Sequence, residues 1–160
     1  SRAAPRGTAR SLALQRAALK TRIEAGPDVG IVHDRERWAK DWSSFLALFK
    51  DSSSGRILGW TITREATPAT ASTSRQTERR HGHVIRGYMG LKDADASETT
   101  FQALVELVVA AIQADPTLGG TAEADSGPPQ VRVVEPRMFG DVLCHYCEIT
   151  FEGREIADWA

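Results

Sequence analysis

The sequence predicts an α+β domain with a mainly antiparallel four-stranded sheet and helices packed on one face. Three observations predict it. The stretch Val131–Glu152 reads as two strands, Val131–Arg137 and Val142–Glu152, joined by a tight turn at Gly140-Asp141. Phe101, Leu104, Val105, Val108, Ala111 and Ile112 recur at helical spacing and form one apolar stripe. The strand-like runs follow one another without the regular β-α-β alternation of a parallel sheet.

Length and charge set the limits. A chain of 160 residues corresponds to one domain, read as 8–160 after a flexible arm at 1–7 that has no face to bury. A hydrophobic fraction of 41% and a charged fraction of 26% are ordinary for a globular chain. A net charge of −1 excludes a strongly basic whole-protein surface. No apolar run approaches the ~20 residues of a membrane span. Leu12–Ile23 is interrupted by Gln15, Arg16, Lys20 and Arg22, so it lacks a signal core. Two cysteines make no disulfide framework, and a reducing, cytosolic setting is expected.

In chain order, Thr8 or Ser11 caps a helix to about Ala25, with Leu12, Leu19 and Ile23 on one face. Its positive charges, with those of the arm (Arg2, Arg6, Arg10, Arg16, Lys20, Arg22), read as a solvated face or as an arm meeting an acidic partner. Val29–His33 is a short strand. Asp34 is expected to cap a helix over Arg35–Lys50, with Trp38, Trp42, Phe45 and Phe49 as an aromatic stripe for the core. DSSSG (Asp51–Gly55) is a turn. Arg56–Arg64 is a strand with Leu58, Trp60 and Ile62 on one face. Glu65–Gly82 is expected to be a long mobile loop carrying Arg75, Arg79 and Arg80, ordered only by a partner. His83–Leu91 is the next strand. Asp95 and Glu98 are expected to form a capping box for a helix to about Ala114, ended by Asp115-Pro116. Thr117–Gln130 is a second loop. In the closing hairpin Leu143, Cys147, Ile149 and Phe151 alternate with Cys144, Tyr146, Glu148, Thr150 and Glu152. That strand is long enough to be central, Pro136 is expected to interrupt or bulge its partner, and Gly153–Ala160 is a short tail.

Chemistry-bearing patterns are sparse. Cys144 and Cys147 form a CxxC, but in a strand they point to opposite faces, which suits neither a shared metal nor a disulfide. His81 and His83 have no neighbouring ligands in sequence. Asp93, Asp95 and Glu98 are explained by cap and first-turn roles. There is no nucleophile elbow, phosphate loop or dinucleotide fingerprint, so no catalytic, cofactor or metal residue is expected and the chain is read as no enzyme. The interface candidates are Arg75, Arg79 and Arg80 in the long loop and Arg2 and Arg6 in the arm. A nucleic-acid-associated module using these charges is a lesser alternative, because they are scattered rather than gathered on one ordered face.

Several stretches together resemble a known family: VHDRERW (Val32–Trp38), GWTITRE (Gly59–Glu65), HVIRGYMGL (His83–Leu91), FQALVELV (Phe101–Val108), ADPTLGG (Ala114–Gly120) and VEPRMFGDVLCHYCEITF (Val134–Phe151). They resemble the tail terminator or head–tail joining (neck) proteins of long-tailed bacteriophages and prophages, over about Val29–Phe151. The resemblance implies a structural virion protein, assembled in the host cytoplasm. Its subunits would form a homo-oligomeric ring, a hexamer, that caps the tail tube protein and meets the head–tail connector proteins, with DNA passing the lumen without specific binding. A neck stopper or adaptor is the alternative within the same resemblance.

Overall fold

Two long strands organise the molecule. β4 (Gln76–Gly90) and β6 (Val142–Asp158) pair antiparallel along all 15 residues of β4, from Gln76 opposite Asp158 to Gly90 opposite Cys144. The computed structural model describes residues 8–37, 39–52, 55–139 and 141–158, with backbone alone at 8–11, 42 and 72. The expected arm at 1–7, with Arg2 and Arg6, lies outside these residues, as do Trp38 and Gly140.

The sheet has six strands, which corrects the expected four, and it is mixed, because β1 and β2 run parallel, while its other pairings are antiparallel as expected. β5 (Gln130–Phe139) lies outside β6, and β2 (Leu58–Ala66) lies on the other side of β4. β1 (Ile31–His33) runs parallel to β2. β3 (Ala69–Thr73) pairs with the first residues of β4, beyond the end of β2. The expected loop Glu65–Gly82 is therefore strand for most of its length. Its sequence hides this because Gln76–Gly82 is polar on both faces, so hydrophobic alternation is silent while its threonines favour extended backbone.

α1 (Thr8–Glu24) and α3 (Ser97–Gln113) cover one face. There Leu19 and Ile23 of α1 and Phe101, Leu104, Val105, Val108 and Ile112 of α3 share one cluster with Trp60, Ile62, Ile85, Met89, Cys147, Ile149 and Phe151. Burying each large side chain contributes about 1.5–3 kcal/mol. Trp60 is fully buried, and its Nε1 donates to the Val29 carbonyl at 2.7 Å. Gly87, opposite Trp60, has no alternative: a Cβ there would stand 2.4 Å from the indole.

The helices do not all pack on one face. α2 (Trp42–Phe49) lies on the opposite side, where Phe49 occupies the space above Gly59, whose Cβ would come within 2.6 Å of its ring. This helix is half the expected length. Asp41 caps it, accepting the Ser44 amide at 2.8 Å, and the stretch after Asp34 is irregular. Local Asp-x-x-Ser capping outweighs a helical stripe that began at Trp38. On this face Arg137 and Phe139 of β5 and Tyr88 of β4 pack against Tyr146, and Cys144 and Tyr146 are buried, contrary to a simple in–out reading of β6.

Smaller corrections have local causes. The expected capping box is absent. Asp93–Asp95 makes a single 3₁₀ turn, Ala96 is left-handed at φ 52°, and Ser97 turns its hydroxyl inward to accept the Lys92 amide and to meet His145 Nε2 at 2.8 Å. Asp95 pairs with Lys92 and Arg56 instead. The irregularity of β5 falls between Val131 and Val133 and not at Pro136, which stands opposite His145 on an edge strand, where proline is tolerated. The expected tail from Gly153 continues as strand to Asp158.

Candidate functional site

Two regions stand out. The first is a trough on the α2 face. β5 curls over this face, so that Arg132 comes within 3.8 Å of Glu65 although β4 and β6 separate their strands. Phe139, at the end of β5, stacks on Phe45 of α2, with centroids 5.8 Å apart and planes 10° from parallel. Tyr88 packs edge-on to Phe139 and tilted against Phe49 and Tyr146. Between these rings and Arg37, Arg86 and Arg137 lies a cavity of about 340 Å³ with Thr61 and Thr63 on its floor and Glu36 at its rim.

The arginines are held by different means. Arg86 Nη1 donates to Thr63 Oγ1 at 2.7 Å and faces Glu148 across the β4–β6 ladder. The Arg137 guanidinium lies 4.1 Å over the Tyr146 ring and 3.8 Å from Glu148, and its Nε donates to Glu135. Arg37 reaches Nδ1 of His33 at 3.3 Å. The Tyr146 hydroxyl donates to Glu148 Oε2 at 2.9 Å, and burial pushes it up to about 12, so it stays a neutral donor. A wall of aromatic rings with guanidinium groups suits a ligand that joins a flat apolar group to an anion.

The second region is an arm. β4 is about 50 Å long at ~3.3 Å per residue, whereas α3 is about 25 Å at ~1.5 Å per residue, so the far end of β4 overhangs the helix. There β3, the start of β4 and the end of β6 form a narrow three-stranded ribbon closed by the turn at Ser74-Arg75. At its root is a buried polar chain. His81 Nε2 lies 2.6 Å from Glu155 Oε2, and its Nδ1 lies 3.1 Å from Thr67 Oγ1. His83 Nε2 donates to Gln15 Oε1 at 2.8 Å, and Gln15 Nε2 donates to the Thr121 carbonyl. Gly153 makes room for this amide, since a Cβ there would lie 2.1 Å from Gln15 Oε1. Burial, with the charges of His81, Arg16 and Arg64 nearby, pushes the His83 imidazole down to about 3. His83 Nδ1 is buried without a hydrogen-bond partner among the described residues, as befits a neutral ring.

The expected interface arginines are dispersed over this arm. Arg75 is exposed at the turn, its amide donating to Thr73 Oγ1. Arg79 is half-buried on the α1 side of β4, opposite Glu155. Arg80, on the other face, is paired with Glu78 and Glu152. They form no common patch. Cys144 and Cys147 are both free and buried, and burial pushes their thiols up to about 11 and about 12, far from the thiolate needed for a nucleophile or metal ligand at neutral pH. Among the described residues no group of three His, Cys, Asp or Glu is placed to hold a metal ion.

No family model matches the chain, and no curated protein matches it significantly. The trough residues Arg37, Arg86, Arg137, Tyr88 and Tyr146 were not legible as a site. They come from four separate segments, and the only signal was the polar-and-aromatic alternation of Arg86 and Tyr88 within an otherwise apolar strand.

Proposed function

We propose that the chain is a structural virion protein, a tail terminator whose copies form a hexameric ring capping the tail tube and presenting a surface to the head connector. The observation that carries this reading is that its sheet ends in unlike edges, β5 on one side and β1 with the short β3 on the other. β5 is a 10-residue edge strand bearing exposed Val131, Val134 and Met138 beside Arg132 and Arg137. β3, on the opposite side of the sheet, is a five-residue edge, ATAST, without a charge. Uncharged exposed edges invite pairing with another chain. A ring requires a heterologous contact between two different surfaces of each subunit, and two unlike edges supply them.

The stretches that carry the family resemblance support the same reading. GWTITRE is β2, HVIRGYMGL the helix-covered half of β4, FQALVELV the first half of α3, and VEPRMFGDVLCHYCEITF the β5–β6 hairpin. They are neighbours in one sheet and its covering helix. Arg80 already answers two carboxylates, which argues against the arm as a nucleic-acid surface. Native mass spectrometry of the protein, with imaging of the particle, tests the proposal. Six-fold rings located at the tail–neck junction are expected; a protein monomeric at high concentration and absent from virions would sink it.

A further inference from the structure

We infer that the arm is a hinged element latched to the body by Gln15 of α1, and that acid releases the latch. The hinge is a line of weak points across three strands at one level. β4 carries Gly82 there, and β6 carries Gly153 opposite His81. Beside them the edge is irregular. The register of β2 shifts between Arg64 and Ala66, and the chain passes through Thr67-Pro68 before β3 begins. The Pro68 carbonyl accepts the Arg80 amide at 3.0 Å, but the proline nitrogen has no hydrogen to donate in return. Glycine inside a strand weakens it, because it has no side chain to pack.

The latch closes this line from the α1 side. Gln15 is fully buried and joins three segments with one side chain: its Oε1 accepts from His83 Nε2, its Nε2 donates to the Thr121 carbonyl, and its amide occupies the space that Gly153 leaves open. His83 makes the latch proton-sensitive. Its Nε2 hydrogen is engaged by Gln15, and its Nδ1 is buried without a partner among the described residues. A second proton would sit on Nδ1 as an unanswered donor and an unanswered charge. The groups around the ring do not answer it. Arg16 comes from α1, Arg64 from β2 and His81 from β4, and the residue opposite on β6 is Phe151, stacked at 6.4 Å. Glu155 of β6 is engaged elsewhere, 2.6 Å from His81 Nε2. The closed latch therefore holds the His83 imidazole down to about 3, and release returns it to 6.5. The open arm takes up a proton that the closed arm refuses. Closure is fully favoured above about pH 6.5 and loses that advantage as the pH falls toward 3. Gln76–Gly82 is polar on both faces, so the ribbon frays once α1 lets go.

Amide exchange of the full-length protein at pH 7.5 and at pH 4.5, expressed as protection factors, tests it. The amides of Gln76–Gly82 are expected to lose protection on the order of a hundredfold between the two, the ratio that imidazole values of 6.5 and about 3 imply, while those of Val84–Gly90 stay as they are. In His83→Gln the new amide can still donate to Gln15 but takes up no proton, so the arm is expected to keep its protection at pH 4.5. Gln15→Ala is expected to loosen the arm already at pH 7.5. The inference is overturned if the two segments lose protection together, if the arm is equally protected at both pH values, or if His83→Gln loosens in acid like wild type. An arm unchanged in Gln15→Ala would overturn it as well. Should His83→Gln not fold, the two segments of wild type and the Gln15→Ala protein decide between these outcomes. All of them are read on the chain itself and leave the proposed ring untouched.

Discussion

The two halves of the β4–β6 ladder are built by opposite means. From Val84 to Gly90 the ladder lies between α1 and α3 on one side and α2 on the other; on the α1–α3 side it buries Ile85, Met89, Cys147 and Ile149, and on the α2 side Tyr88 and Tyr146 stand beside the Arg86–Glu148 pair. From Gln76 to His83 the same two strands are held by a histidine–carboxylate contact, a glutamine and surface ion pairs. Hydrophobic burial is non-directional and sums over area, so the first half is stabilised collectively. The arm depends on a few directional contacts whose loss is felt singly.

Mutations in the two halves should separate these regimes. The largest effect is expected in the covered half. Phe151→Ala empties a site that is 2% exposed and should cost about 3–5 kcal/mol in urea denaturation, enough to unfold a domain of ordinary stability. Gly87→Ala comes next, because its Cβ would enter the Trp60 ring, and overpacking of this kind costs about 1–3 kcal/mol. A Gly87→Ala protein as stable as wild type would show that Trp60 can move, and that the covered half is less tightly packed than it looks.

At the root of the arm the expected response is to pH. The His83 imidazole is pushed from 6.5 in the open chain down to about 3 in the fold. Between those values the unfolded chain binds a proton that the folded one refuses. This contribution is therefore fully present above about pH 6.5 and is lost as the pH falls toward 3. His83→Gln should flatten the fall in stability over that window. An unchanged slope would move the acid sensitivity elsewhere. Further out, Ile156→Thr at a position 37% exposed should change stability by no more than about 0.5 kcal/mol. Amide exchange along β4 gives the finest comparison: protection should decline steadily from Ile85 to Gln76. Uniform protection along the strand would abolish the distinction between the halves.

The same division decided what was legible in the sequence. α3, β2 and the β5–β6 hairpin announce themselves because one face of each is apolar at the right period, as with Leu104 and Val108, or Ile149 and Phe151. The arm does not, because Thr77, Arg79 and His81 alternate with Gln76, Glu78 and Arg80 and no apolar face exists to count. The position of α2 was hidden for another reason. Phe45 and Phe49 signal burial, but only Gly59 and the curl of β5 determine which face they bury. The trough inherits this opacity, because its arginines and tyrosines converge only once the sheet has curled.

The continuous β4–β6 ladder has a mechanical consequence. The start of β4 and the end of β6 lie together at the arm tip, and Gly90 and Cys144 lie together at the other end. The inter-strand hydrogen bonds run across the strands. A tension entering at the tip through one strand and leaving at the far end through the other would load these bonds in parallel, as shear, so that many must fail at once. A pull that spreads the two strands at the tip would load them in series and open them one after another. The domain is thus stiff along the arm and weak across it, and anything that pulled on the tip end-on would meet the stiff direction.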